Sequence, residues 1–110
     1  MGKYIVVFVS CGSMSEAKKI AKLLVNDKVT ACVNIIGGIL SLYWWEGKVN
    51  KAKEVLLIAK TLQSNFANVQ KIVTRTHSYE IPEIIAMPIS KGNKTYLKWI
   101  DMSLKRASHT

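Results

Sequence analysis

Arginine is almost missing from this chain: of 16 basic residues only Arg75 and Arg106 are arginines, and the rest are lysines scattered from end to end. Arginine is the better reader of phosphate geometry and guanine edges, so its scarcity argues against a specific nucleic-acid reader despite a formal charge of +9. The charge reads instead as a solvated lysine surface. No apolar run approaches the roughly 18 residues needed to cross a bilayer, and no secretory leader precedes the first strand pattern, so the expected address is cytoplasmic, without a membrane partner. Cysteine appears only as Cys11 and Cys32, without CxxC spacing, and both are expected as reduced thiols. The phosphate-loop, GxGxxG, GxSxG and HExxH signatures are all absent, which removes the enzyme classes that those motifs announce.

What is present is ordinary globular composition, 49% hydrophobic and 21% charged, in a length that suits a single domain over residues 1–110. Lys3 to Ser10 is apolar on both faces, as in a central or doubly covered strand. Ser13 and Glu16 then form a capping box in which Ser13 accepts from the helix amides and Glu16 reaches back to the cap. Ala17, Ile20, Ala21 and Leu24 follow at helical spacing, with Lys18, Lys19 and Lys22 opposite. Val29 to Leu42 reads as a long strand interrupted by a bulge at Gly37-Gly38, and Trp45-Glu46-Gly47-Lys48 as a turn returning through Val55 to Thr61. A second amphipathic helix is expected over Gln63 to Arg75, capped by Ser64, with Phe66, Val69, Ile72 and Val73 on its inner face. A fourth strand at Glu83 to Ile89 and a helix from about Asn93 to Leu104, with Tyr96, Leu97, Ile100 and Leu104 inward, complete the pattern.

The order β-α-β-β-α-β-α implies an α+β fold, a split βαβ sandwich with an additional C-terminal helix. Two helices on one face leave the other face of the sheet open. Apolar side chains of the first and third strands, with Tyr43, Trp44 and Trp45, would then meet water, and self-association is the economical remedy.

The scarce titratable groups gather in the segment His77-Ser78-Tyr79-Glu80-Ile81-Pro82-Glu83. His77 is either a metal ligand, paired with a Cys11 thiolate for soft or borderline ions, or a histidine closing a helix C-terminus. Cys11, between the first strand and the first helix, is expected to have a lowered thiol pKa through the helix dipole. Cys32 reads as a small core residue. Glu80 and Glu83 suit acid–base or hard-metal roles, or pair with backbone amides or a lysine such as Lys60. Glu83 is expected to be buried against a neighbouring subunit, and Tyr79 can orient a ligand through its hydroxyl. Met14, Met87 and Met102 are too dispersed for a copper box and read as packing residues.

The runs Ala31-Cys32-Val33-Asn34-Ile35, Ser41-Leu42-Tyr43-Trp44-Trp45-Glu46-Gly47-Lys48, Lys60-Thr61 and His77 to Glu83, followed by Gly92-Asn93, Tyr96-Leu97 and Trp99-Ile100, closely resemble the CutA divalent-cation-tolerance family over nearly the whole chain. The resemblance implies a ferredoxin-like subunit in a homotrimer similar to PII signalling proteins, with clefts between subunits. It also implies a link to copper and other divalent metals, at positions that here are Cys11 and His77. A second histidine and a proline of that pattern are replaced by Thr76 and Ser78, so weak or interfacial metal binding is expected, with no cofactor required for folding. The expected function is a binding or signalling scaffold whose cleft is lined by Lys60, Tyr79, Glu80 and Glu83 beside Cys11 and His77. The alternative is an enzyme using Glu83 or His77 as base and Lys60 to hold a small anionic metabolite.

Overall fold

In the computed structural model, which describes residues 3–105, β1 (Tyr4–Cys11) is the strand around which the sheet is organised. It pairs antiparallel with β3 (Lys48–Leu62) on one side and β4 (Ile84–Pro88) on the other. β2 (Cys32–Trp45) closes the order β2-β3-β1-β4, which is the ferredoxin-like arrangement. Ile5, Val7, Val9 and Cys11 alternate onto one face, where α1 (Met14–Asn26) and α2 (Phe66–Thr76) cover them. Ala17, Ile20, Ala21 and Leu24 of α1 meet Val69, Ile72 and Val73 of α2 over Val55, Leu57 and Ala59 of β3, giving one core.

Local chemistry sets the element ends. Ser13 caps α1 by accepting from the Glu16 amide at 3.2 Å. Only half of the expected capping box forms, because the Glu16 carboxylate turns to Ser78 instead of the cap. The second helix starts later than its periodicity suggests: Gln63–Asn65 make one 3₁₀ turn, and α2 begins at Phe66 without a side-chain cap. The bulge falls between Ile36 and Ile39 as the glycine pair indicates, with Gly38 at φ 76°. At the hairpin turn Glu46 and Gly47 both take positive φ, 51° and 81°, the twist that suits a two-residue connection.

β3 begins at Lys48, well before the expected Val55, so β2 and β3 run on together past the end of β1, where Cys11 faces Val55. The resulting arm stretches the molecule to 49 × 30 × 21 Å. Leu40, Leu42 and Trp44 on this arm are 57%, 66% and 74% exposed.

The opposite sheet face is partly covered. Tyr4 alternates away from the core, and its hydroxyl donates to Asp101 on α3 (Lys94–Leu104), which places α3 there. That bond and the Lys3 ammonium at 3.3 Å hold the Asp101 carboxyl below its ordinary range. Ile100 and Leu104 are buried as expected, whereas Tyr96 is exposed and stacks at 5.4 Å on Trp99. Ile36, Ile85 and Met87 remain open on the uncovered part of this face. Met14, Met87 and Met102 are all exposed, so the packing role expected of them does not hold within the protomer.

Candidate functional site

α2 ends at Thr76, and the chain crosses to β4 as a strap over the end of β1. His77 is the C-cap of α2, as one sequence reading had it, but its ring turns to β1 and not to the helix carbonyls. With its side chain fully buried, Nε2 lies 2.6 Å from the Ser10 carbonyl while Nδ1 lies 3.0 Å from the Tyr79 amide. A carbonyl only accepts and an amide N–H only donates, so the network assigns a neutral ring with its proton on Nε2. Both nitrogens are therefore engaged.

Glu16 holds the outer side of the strap. Its carboxylate accepts from the Ser78 amide at 2.6 Å and the Ser78 hydroxyl at 2.9 Å, and lies 3.5 Å from Nδ1 of His77. Tyr79 packs against the His77 ring at 4.7 Å, tilted by 58°, and donates its hydroxyl to Glu54 at 2.7 Å. Burial, then the bond to Glu54, pushes the Tyr79 phenol well above its ordinary range, so it stays a donor. Gly12 gives this ring room, because an added Cβ would stand 3.1 Å from the Tyr79 hydroxyl oxygen. At the far end Ser10 donates to Glu83 at 3.3 Å, while Glu80 and Glu83 are exposed.

Three expectations are corrected here. The Cys11 side chain points into the core, where burial, with the Glu16 and Glu54 carboxylates adding to it, pushes the thiol up to about 11. Desolvation thus outweighs the helix dipole, and the thiol is neutral. Lys60 pairs with neither Glu80 nor Glu83. It faces Val6 on β1, four residues from Ser10, or about 14 Å along the strand. There it donates to Asn34 and lies 4.0 Å from Cys32, which is half-buried at the α3 side and not in the core. Cys11, His77, Tyr79 and Glu83 are thus brought together, and Lys60 is set apart. Both cysteines are free thiols.

Sequence reasoning missed Glu16, Glu54, Ser10 and Gly12. Glu16 was assigned to its own helix, and nothing local ties Glu54 to a tyrosine 25 residues later. An open concavity of about 440 Å³, lined by Lys3, Leu62, Gln63 and Ser64, sits at the opposite end of β1 from the strap.

This strap and the long aromatic hairpin stand in a fold shared with known proteins. Residues 5–103 match the model of the CutA1 divalent ion tolerance protein family. The chain belongs to that family. It is 43% identical over 103 residues to Protein CutA 1, chloroplastic, of Oryza sativa, covering 94% of this chain and 58% of the relative. It is 42% identical over 95 residues to the Divalent-cation tolerance protein CutA of Thermus thermophilus, covering 86% of this chain and 92% of the relative. The solved structure of the Periplasmic divalent cation tolerance protein CutA from Archaeoglobus fulgidus superposes with a TM-score of 0.90 at 42% identity, over 93% of this chain and 99% of that one. The chain spans little more than half the length of the plant CutA relatives it matches. No helix among the described residues is long and apolar enough to cross a membrane.

Proposed function

We propose that the protein works as a homotrimeric, PII-like binding or signalling scaffold in the cytoplasm, with ligand clefts where one copy's strap meets its neighbour. The observation that carries this reading is the apolar arm: Leu40, Leu42 and Trp44 stand in water at one end of the sheet, and Ile85 and Met87 of β4 are open at its other edge. A surface of that kind marks an association site, and a neighbour seated on it would also enclose Tyr79, Glu80 and Glu83. Within one copy the separation of Lys60 from those groups works against a shared pocket, so Lys60 would have to come from another copy. The alternative of an enzyme with Glu83 or His77 as base and Lys60 as anion holder carries the same requirement.

As a resident metal centre, Cys11 and His77 do not fit. The thiol is neutral and internal, both ring nitrogens are hydrogen-bonded, and no group of three or more potential ligands forms among the described residues. Copper or another divalent ion is therefore proposed only as a weak ligand of this pair. Binding would require loss of the thiol proton and of one His77 hydrogen bond, so affinity should rise with pH. Calorimetric titration of copper and zinc into the parent, Cys11→Ser and His77→Ala proteins tests this. Weak heats that vanish in both variants support the assignment, and equal binding by all three proteins refutes it.

A further inference from the structure

The lysines that look scattered along the sequence are not scattered on the helical layer. In α1 the buried residues Ala17, Ile20, Ala21 and Leu24 fix the inner face, which turns Lys18, Lys19 and Lys22 outward. In α2 the buried Val69, Ile72 and Val73 do the same for Lys71 and Arg75. The two helices pack side by side, so these five cations share one surface on the side of the sheet away from α3.

Among the described residues no carboxylate interrupts this surface. Glu16 lies at its margin and is occupied by Ser78, and Asp27 stands at the C-cap beyond the last turn of α1. None of the five cations has an ion-pair partner among the described residues. The groups between them are Ser15, Asn26, Gln70 and Thr74, exposed and polar, with the exposed aliphatic Leu23 and Val25 at the two edges of the α1 part of the face. A membrane-binding face would place large apolar anchors among its lysines. Here the apolar groups are only Leu23 and Val25 at the edges, with no Trp or Phe anchor; the groups between the cations are of the kind that bond phosphate oxygens, and no aromatic side chain stands among them for stacking on bases.

We propose that the outer face of α1 and α2 binds the phosphate backbone of duplex nucleic acid without reading its sequence. Among the described residues this face carries one arginine and no aromatic, which argues against base readout, while Lys18 and Lys22, one turn apart on α1, and Lys71 and Arg75, one turn apart on α2, give two rows of charge. The face belongs to a single protomer, borders the strap at Glu16 and Arg75, and uses no residue of the arm or the strap. It therefore stands or falls independently of the proposed trimer and cleft.

Fluorescence anisotropy of a labelled duplex DNA of arbitrary sequence, titrated with the full chain from about 50 to 200 mM salt, tests the assignment. Five neutralised phosphates give a slope of about −4.5 in log affinity against log salt, a loss of roughly 500-fold over that range. Lys18→Gln/Lys22→Gln/Lys71→Gln should flatten the slope by about 2.7 and weaken binding at low salt. Lys91→Gln/Lys94→Gln/Lys98→Gln, with the same change in net charge but placed at and before α3, should leave both nearly unchanged. No association at low salt, equal losses in the two triple variants, or tighter binding to phosphatidylserine vesicles than to the duplex would each overturn the proposal.

Discussion

Cys11 offers the sharpest contrast between a local rule and the folded environment. Its position before α1 suggests a thiolate, yet its side chain is fully buried and its thiol is pushed from 9.0 to about 11. At pH 7 that lowers the thiolate fraction from roughly 1 in 10² to roughly 1 in 10⁴. Alkylation by iodoacetamide, followed residue by residue by mass spectrometry, should then be at least about 100-fold slower at Cys11 in the native protein than in guanidinium. The same shift fixes a pH dependence of stability. The unfolded chain gives up this proton near pH 9 while the native state keeps it until about pH 11, so the native state binds more protons in that window. Stability should fall there by about 1.4 kcal/mol per pH unit, and Cys11→Ala should remove that component. Native Cys11 reacting as fast as the denatured thiol, with no such slope, would refute the burial argument and restore the helix-dipole expectation.

Other consequences concern the strap and the core. Tyr79→Phe leaves the nearly buried Glu54 carboxylate without its donor and should cost about 1.5–3 kcal/mol in denaturant melts. Gly12→Ala should cost about 1–3 kcal/mol by pressing on the same ring, and much of that cost should disappear in a Tyr79→Ala background, since the two sites touch. Glu16→Gln should raise the hydrogen-exchange rate of the Ser78 amide, with unchanged protection at Val7 in the sheet centre; unchanged exchange at Ser78 would discount the Glu16 clamp. Leu57→Ala, fully buried beneath the helices, should cost 2 to 5 kcal/mol, about the range for such truncations.

The element order and the inner helix faces were legible because each depends on local periodicity. Ala17, Ile20, Ala21 and Leu24 repeat at helical spacing, and the glycine pair at 37–38 announces the bulge whatever the rest of the chain does. The site was legible as a composition anomaly, not as an arrangement. His77, Tyr79 and Glu83 stood out because such residues are rare in this chain, but the Ser10 carbonyl that binds His77 comes from 67 residues away. Such pairings are decided by sheet register, which periodicity does not encode. The same reason hid the position of α3. Its amphipathic pattern shows that one side is inward but not which sheet face receives it, and the deciding contact joins Tyr4 to Asp101 across nearly the whole chain. Lys60 was grouped with the strap as a cation for its carboxylates, and the β1–β3 register separates them.

The central functional claim is that the exposed arm and the open part of the sheet are closed by two further copies, creating the clefts at the strap. Sedimentation equilibrium at low micromolar concentration tests it most directly. The account predicts one species of three times the 12.3 kDa protomer mass, which Trp44→Ala shifts toward the monomer. A parent protein that sediments as a 12.3 kDa monomer would contradict it.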